Sequence, residues 1–219
     1  MGIIGDKMDD YIDKMQGMLS DGYSMEEVAE NLYLNYHSVI NTDEVYRLRK
    51  VIAKKYNCNL NDVKLIGSSH TGYTYKEGKL QKRDNPKDYD FAIINADVFV
   101  KYFHMVNLDK ILDAEKMKYI GGILNGKIHP LHADKDFKNK MEKINSGIMK
   151  ELNIMKHVSV CFYLSEKAFI DGLVEYNSEL YTGELRRISE QKGDKDALKV
   201  SIGQLVNMSE LKLVDKMEE

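Results

Sequence analysis

The chain has 219 residues, 43% of them hydrophobic, which is enough for one large domain or for one domain with a small appendage. Charged residues of both signs leave a formal net charge of -3, so the overall charge gives no argument for a nucleic-acid or membrane-surface partner. No apolar run approaches the ~20 residues that span a bilayer, so we expect no membrane partner. No secretory signal is visible, and the two cysteines, Cys58 and Cys161, lie far apart. We therefore expect a cytoplasmic protein with free thiols.

Residues 1–41 are predicted to form an N-terminal helical segment. Apolar residues recur every three or four positions over residues 6–22, which is the spacing of an amphipathic helix. Ser24, with Glu27 three positions later, has the pattern of a capping box and begins a second helix. The simplest interpretation is a helical hairpin that packs on the main domain.

The same region has an alternative interpretation as a helix-turn-helix that binds DNA. Residues Gly22–Val39 have suitable spacing, with Ala29 between the helices and Tyr33 and Leu34 at the turn. The charge argues against this alternative, because ten carboxylates and only two lysines occur up to Glu44 and would repel phosphate. DNA binding by the N-terminal segment is therefore disfavoured.

The next elements are predicted from apolar runs and from charge placement. A helix over Thr42–Tyr56 has acidic residues at its start and basic residues at its end, as the helix dipole favours. Val63–Ile66 is the first strand, and Asp90–Ile94 is a second strand that is apolar enough to be central in a sheet. Between them, residues 73–87 suggest a small hairpin or an ordered loop that is rich in basic residues.

After residue 94 we expect a helix, a β-hairpin about Asn125-Gly126, a second helix, a strand and a final helix. The expected ranges are Asp97–Leu112, Met117–Leu124, Lys127–Leu131, Phe137–Leu152 and Lys156–Leu164, with a last helix from Ser165-Glu166. From Glu184 the chain is helical or mixed, and Ala197–Val206 is ambiguous between helix and strand. The order predicts an α+β fold with a small mixed β-sheet flanked by helices, divided into residues 1–41, a core of 42–165 and a mostly helical segment of 166–219.

Two aspartates stand at the start of the second predicted strand. Residues two apart on a strand point to the same face, so Asp88 and Asp90 can direct both carboxylates to one point. Paired carboxylates are hard oxygen ligands that suit Mg²⁺. Alone, an Asp-x-Asp pattern is common and is also compatible with a loop residue followed by an exposed one.

A glycine-serine loop follows the first predicted strand. Gly67 permits a close backbone approach, Ser68 and Ser69 offer hydroxyl and N–H groups to a phosphate, and Gly72 gives a second flexible point. The alternative interpretation is a turn that only connects two elements.

Together these residues resemble the signature of the nucleotidyltransferase superfamily, which has the DNA polymerase beta-like fold. The matching stretches are Ile66-Gly67-Ser68-Ser69-His70-Thr71-Gly72 and Asp88-Tyr89-Asp90-Phe91-Ala92-Ile93. The resemblance covers roughly residues 42–165 and implies a nucleotidyltransferase-like fold.

The resemblance also implies a function. Asp88 and Asp90 would be catalytic and would bind Mg²⁺, and Gly67 and Ser68 would hold the phosphates of a nucleoside triphosphate. A hydroxyl of a nucleic acid end, a protein or a small molecule would attack the α-phosphate. Basic residues of the loop before Asp88 would neutralise phosphate charge; the candidates are Lys76, Lys79, Lys82, Arg83 and Lys87, and we include Lys87 with Ser69 and Gly72 among the nucleotide-binding residues.

One part of the family pattern is missing. The superfamily usually has a third carboxylate on a later strand, and the best candidate strand here, Val158–Tyr163, contains neither Asp nor Glu. Ser159 or Cys161 would take its place. Three explanations remain open, namely another base such as His70 or His157, an unusual acceptor, or a protein that has lost catalysis and kept a binding or interaction role.

Overall fold

The computed structural model describes residues 10–36 and 42–192. The described chain is an α+β structure, as predicted, with one four-stranded mixed sheet and one two-stranded hairpin. The helices are α1 (Tyr11–Ser20), α2 (Met25–Asn35), α3 (Thr42–Tyr56), α4 (Ser68–Thr71), α5 (Ala96–Phe103), α6 (Asp113–Leu124), α7 (Lys135–Leu152) and α8 (Glu166–Lys192). The strands are β1 (Val63–Ile66), β2 (Tyr73–Lys76), β3 (Lys79–Lys82), β4 (Asp88–Ile94), β5 (Lys127–Ile128) and β6 (His157–Tyr163).

The four-stranded sheet has the order β1-β4-β6-β5, so β4 is a central strand as its apolar sequence predicted. It pairs antiparallel with β1 and parallel with β6. This register sets Asp90 opposite Ile66 on one side and opposite Ser159 on the other. The sheet therefore brings the end of β1 and the start of β6 to the two predicted aspartates.

One face of the sheet packs against α3, α5 and α7. Tyr89, Phe91 and Ile93 alternate along β4 and are fully or almost fully buried in this main core. Tyr102 of α5 stacks on Phe162 of β6 with ring centroids 4.5 Å apart. Burying each large apolar side chain contributes about 1.5–3 kcal/mol, so this face supplies most of the stability of the sheet.

The other face of the sheet is covered by α8. Ala92 and Cys161 lie on this face and pack with Phe169 and Ile170 in a second, smaller cluster. Asp90 belongs to the same face because it is two residues from Ala92 on β4. Helix α8 consequently runs over the surface that carries the predicted site.

The N-terminal helices form a third apolar cluster, which confirms the helical hairpin. Tyr11 and Met15 of α1 and Leu32 of α2 pack with Leu180 of α8 and with apolar side chains of the β2–β3 hairpin. Ser24 caps α2, and its backbone N–H donates to the Glu27 carboxylate at 2.7 Å, which completes the predicted capping box. The division of the chain into three segments stays a prediction.

The turn that the helix-turn-helix interpretation required is absent from its predicted place. Helix α2 continues through Tyr33 and Leu34 to Asn35, so these two residues are helical and do not form a turn. The predicted turn is therefore wrong, and residues 37–39 at the end of the predicted motif lie outside the described residues.

The predicted hairpin about Asn125-Gly126 is wrong. The stretch Met117–Leu124 belongs to helix α6, and β5 is only two residues long and pairs with β6. The apolar residues that suggested a strand are largely exposed, with Met117 at 75% and Leu124 at 81%, whereas Tyr119 is buried. The spacing of apolar residues predicts a helix or a strand only when those residues face the core. Because most apolar residues of this run are exposed, their spacing did not distinguish a strand from a helix.

Other boundaries differ less. The helix expected over Asp97–Leu112 ends at Phe103, and the chain from Glu184 continues as helix to Lys192. The β2–β3 hairpin is confirmed, with Glu77 and Gly78 at positive φ in its turn. The ambiguous stretch Ala197–Val206 lies outside the described residues.

Within the described ranges, none of the helices has the length and apolar character needed to cross a membrane.

Candidate nucleotide and metal site

The two aspartates lie at the start of β4 with the buried Tyr89 between them. Tyr89 points into the main core and donates a hydrogen bond to Glu44 at 2.8 Å, so Asp88 and Asp90 take the opposite face by strand alternation. Asp88 is exposed and Asp90 is half-buried. Their placement on one face is the geometry that the sequence predicted for the pair.

Gly67 approaches the Asp90 carboxylate directly. Its backbone has φ +62° and ψ -154°, a conformation that is essentially restricted to glycine. A Cβ atom added at Gly67 would lie 3.0 Å from Oδ2 of Asp90. The end of β1 and the carboxylate are thus packed without room for any side chain between them.

The two serines of the loop have different environments. Ser69 is fully buried, and its hydroxyl donates to the Ile66 carbonyl at 3.2 Å and accepts from the Asp90 backbone N–H at 3.4 Å. This hydroxyl fastens the loop to β4, and its predicted contact with a phosphate stays a prediction. Ser68 is half-buried and is therefore the more accessible hydroxyl of the two.

Ser159 occupies the place beside Asp90 on β6. Its hydroxyl donates to Oδ1 of Asp90 at 2.5 Å. Cys161 stands two residues further along, next to Ala92, where its thiol is buried and its pKa is raised to about 11 by burial. Of the two residues that the sequence offered in place of a third carboxylate, Ser159 is the one in contact with the aspartate.

The carboxyl group of Asp90 is held in an unfavourable environment for a charge. Burial raises its pKa above the usual value, and the neighbouring Asp88 raises it further. The hydrogen bond from Ser159 and the nearby His157 act in the opposite direction without cancelling the shift. A cation placed between the two aspartates would relieve both effects.

The histidines named as alternative bases lie in different places. His157 is exposed and stands directly opposite Asp88 in the β4–β6 register. His70 packs edge-on against Tyr11 and Tyr36, at 6.3 and 5.8 Å between ring centroids, and burial lowers its pKa to about 4. His157 is consequently the histidine that the sheet brings to the carboxylates.

The loop ends against helix α8 through a tyrosine that sequence reasoning missed. The hydroxyl of Tyr176 donates to the Tyr73 carbonyl at 2.6 Å and lies 3.3 Å from the Thr71 hydroxyl. The Thr71 hydroxyl in turn lies 3.2 Å from the Gly67 carbonyl. No local pattern marks Tyr176, because its role depends on where α8 crosses the sheet.

The remaining predicted phosphate-binding residues are placed as follows. Gly72 ends α4 in the left-handed conformation, with φ +79°, and Lys87 is exposed directly before β4. Lys82 instead contacts Asp10 at 2.9 Å, and Arg83 donates to Gln81 at 2.5 Å. Lys87 and Gly72 remain predicted nucleotide-binding residues.

The oxygen groups at the two aspartates could supply only part of the ligand shell of a Mg²⁺ ion. The two carboxylates and the Ser159 hydroxyl are hard oxygen groups of the kind that Mg²⁺ prefers. Within residues 10–36 and 42–192, no group of three or more His, Cys, Asp or Glu side chains is arranged to hold a metal ion. The remaining ligands would have to be water and substrate phosphates, which is usual for Mg²⁺ in nucleotide enzymes.

A groove near the sheet lies away from the two aspartates. It has a volume of about 870 Å³ and runs between α6, β5 and the start of α8, beside Tyr163 rather than Asp90. Two of its lysines already contact carboxylates, Lys118 with Glu115 at 3.7 Å and Lys167 with Asp171 at 3.2 Å. We therefore place the candidate site at the aspartates, where the polar groups converge, and not in this groove.

Comparison with known proteins gives no relative. No family model, no curated protein and no solved structure matches this chain.

Proposed function

We propose that the protein is a Mg²⁺-dependent nucleotidyltransferase with a nucleotidyltransferase-like fold, which transfers a nucleoside monophosphate from a nucleoside triphosphate to an acceptor hydroxyl. The observation that carries the proposal is the close approach of Gly67 to the Asp90 carboxylate, which leaves no room for a Cβ atom at Gly67. The glycine-serine loop and the Asp-x-Asp strand thus lie side by side, which supports the shared site that the family resemblance of these two stretches implies.

Each residue has a role in the proposal. Asp88 and Asp90 bind the ion and act as the catalytic carboxylates, and Gly67, Ser68, Ser69, Gly72 and Lys87 hold the triphosphate. Mg²⁺, when bound, supplies positive charge that stabilises the α-phosphate as it is attacked. The acceptor is a nucleic acid end, a protein or a small molecule, in a protein that we place in the cytoplasm.

The reaction balances without a further reactant. The acceptor oxygen forms a bond to the α-phosphorus, the bond from that phosphorus to the oxygen of the β-phosphate breaks, and pyrophosphate leaves. The hydroxyl proton passes to a base, a role for which we propose His157 because it stands beside Asp88.

The test is transfer of labelled nucleotide. The protein is incubated with each α-labelled nucleoside triphosphate and Mg²⁺, with and without RNA or cell extract, and both label transfer and pyrophosphate release are measured. We expect activity that is lost in Asp88→Asn/Asp90→Asn and kept in Asp109→Asn/Asp113→Asn, which changes two exposed aspartates elsewhere. If neither turnover nor Mg²⁺-dependent nucleotide binding is found, the proposal is wrong.

A second candidate function is a nucleotide-binding module without catalysis. The hydroxyl of Ser159 makes a hydrogen bond to Asp90 where the resemblance implies a third carboxylate. In this case the protein binds nucleotide with Mg²⁺ but releases no pyrophosphate. Ser159→Asp should then strengthen Mg²⁺ binding at least tenfold, since a third carboxylate joins the set, and any turnover that appears identifies the missing group.

A further inference from the structure

A second, smaller pocket lies at the outer edge of the sheet. It has a volume of about 280 Å³ and is bounded by α2, α3, β1 and α4. Its walls include Tyr33 and Tyr36 of α2 and its flank, Arg49 of α3, Lys64 of β1 and His70 of α4. None of the carboxylates at the predicted catalytic site lines this pocket.

Two cations share the pocket without a carboxylate in its described lining. The guanidinium group of Arg49 donates to the Leu60 carbonyl at 3.0 Å through one terminal nitrogen. Its Nε is buried and has no hydrogen-bond partner. Because Nε is enclosed by protein atoms, Arg49 would act on an anion in the pocket through its charge and not through this donor.

The charges on Arg49 and Lys64 are unfavourable to each other. Burial lowers the pKa of Lys64, and the charge of Arg49 lowers it further. Glu166 and Asp62 are the carboxylates near enough to act in the opposite direction, and they do not restore the usual pKa. An excess of positive charge in a partly buried space is the arrangement that an anion stabilises.

Apart from Arg49 and Lys64, the described lining of the pocket consists of aromatic and aliphatic side chains and His70. The Lys64 ammonium lies 5.2 Å from the centroid of the Tyr33 ring, a cation–π distance. His70 is neutral at physiological pH, because burial lowers its pKa to about 4, and its ring packs on Tyr36. Low-polarity walls strengthen the attraction between the two cations and an anion.

We propose that this pocket binds a phosphate group between Arg49 and Lys64. Two cations match the two negative charges of a phosphate better than the single charge of a carboxylate. The pocket accommodates a phosphate alone or the phosphate of a small nucleotide. This site is separate from the proposed catalytic function, because it uses neither Asp88 nor Asp90.

The experiment measures binding by isothermal titration calorimetry with inorganic phosphate, a nucleoside monophosphate and acetate. A chelator is present, because without a cation the carboxylates of Asp88 and Asp90 repel phosphate and do not contribute. The variants are Lys64→Met and Arg49→Met, and the matched control is Lys50→Met, an exposed lysine on the same helix as Arg49. Since Arg49→Met also removes the bond to Leu60, Lys64→Met is the variant that decides.

We expect Lys64→Met to weaken phosphate binding at least tenfold, which is about 1.4 kcal/mol, and Lys50→Met to leave it unchanged. Equal affinities of phosphate and nucleoside monophosphate assign the pocket to phosphate alone. Tighter binding of the nucleotide that is lost in Tyr33→Leu assigns it to a nucleotide phosphate. The proposal is overturned if Lys64→Met binds phosphate as tightly as the unaltered protein, if phosphate does not bind, or if acetate binds equally well.

Discussion

Gly67 is the residue whose replacement tests the site most directly. Gly67→Ala places a Cβ 3.0 Å from Asp90 Oδ2 on a backbone at φ +62° and ψ -154°. We expect this change to lower the free energy of unfolding by about 1–3 kcal/mol and to displace the Asp90 carboxylate. Urea denaturation measures the first effect and Mg²⁺-dependent nucleotide binding the second.

A glycine in a helix provides the control. Gly147→Ala lies in α7, where an added Cβ meets no atom within 4 Å. It should leave nucleotide binding unchanged and stabilise the protein slightly, because alanine favours the helix. Equal effects of the two replacements would show that the contact with Asp90 does not matter.

Asp90 should make stability depend on pH in a defined direction. Its pKa in the folded protein is raised above 3.8, mainly by burial. Below pH 3.8 the group is protonated in both states. Between pH 3.8 and the folded pKa the unfolded state releases its proton while the folded state keeps it, so the free energy of unfolding falls as pH rises. We therefore expect Asp90→Asn to be more stable than the unaltered protein at neutral pH, and this difference to vanish as pH falls below 4.

Denaturation of both proteins from pH 3 to pH 8 checks this prediction. A difference that grew toward low pH would mean that the pKa of Asp90 is lowered rather than raised. Mg²⁺ should stabilise the unaltered protein and not Asp90→Asn, since a ligand that binds only the folded state shifts unfolding by mass action.

The sequence predicted the residues of the site better than their partners. Strand alternation was enough to place Asp88 and Asp90 on one face, and Tyr89 between them confirms it. The contact of Ser159 with Asp90 could not be predicted, because it depends on the register of two strands that are 69 residues apart. Local patterns determine which way a side chain points, but tertiary pairing determines what it meets.

Helix α8 holds the glycine-serine loop in place. Tyr176→Phe removes a donor to the Tyr73 carbonyl and a contact with Thr71. We expect a loss of about 0.5–1.5 kcal/mol of stability, because the carbonyl loses one of two donors and keeps the Thr71 hydroxyl at 3.2 Å. If the protein is an enzyme, KM for the nucleotide should rise more than kcat falls, since the loop binds the ground state.

Tyr181→Phe is the matched control on the same helix, because Tyr181 takes no part in this hydrogen-bond network. It should change neither KM nor stability by a comparable amount. A fall in kcat at constant KM in Tyr176→Phe would instead place the effect on the reacting groups.

Helices and strands were predicted correctly where the spacing of apolar residues in the sequence matched the residues that are buried in the structure. Helix α3 and strand β1 have the predicted ranges, because their apolar residues face the main core. Helix α6 was mistaken for a strand because its apolar residues Met117, Ile120 and Leu124 face outward. The Asn125-Gly126 pair ends this helix, with Gly126 at φ +66°, and does not turn a hairpin.

At the scale of the molecule, the N-terminal helices and α8 share one apolar cluster, so the helices should unfold together with the sheet. Met15 is completely buried in that cluster. Met15→Ala should lower the free energy of unfolding by about 2–5 kcal/mol, as expected for a buried methionine. The same change at Met117, which is 75% exposed, should stay within about 0.5 kcal/mol.

Chemical denaturation followed by circular dichroism and by tyrosine fluorescence measures both variants. One shared transition is expected for the unaltered protein. Two separate transitions, with Met15→Ala moving only one of them, would mean that the N-terminal helices unfold independently.

Helices α6 and α8 differ in how many of their side chains are buried, and this difference should affect amide hydrogen exchange. Residues of α8 from Phe169 to Leu180 contribute buried side chains to two apolar clusters, so their amides should exchange only when the whole protein unfolds. Helix α6 buries only Tyr119 among its residues, and its amides should exchange through local opening. The slowest-exchanging amides would then lie in the helix that holds the loop, while α6 would exchange first.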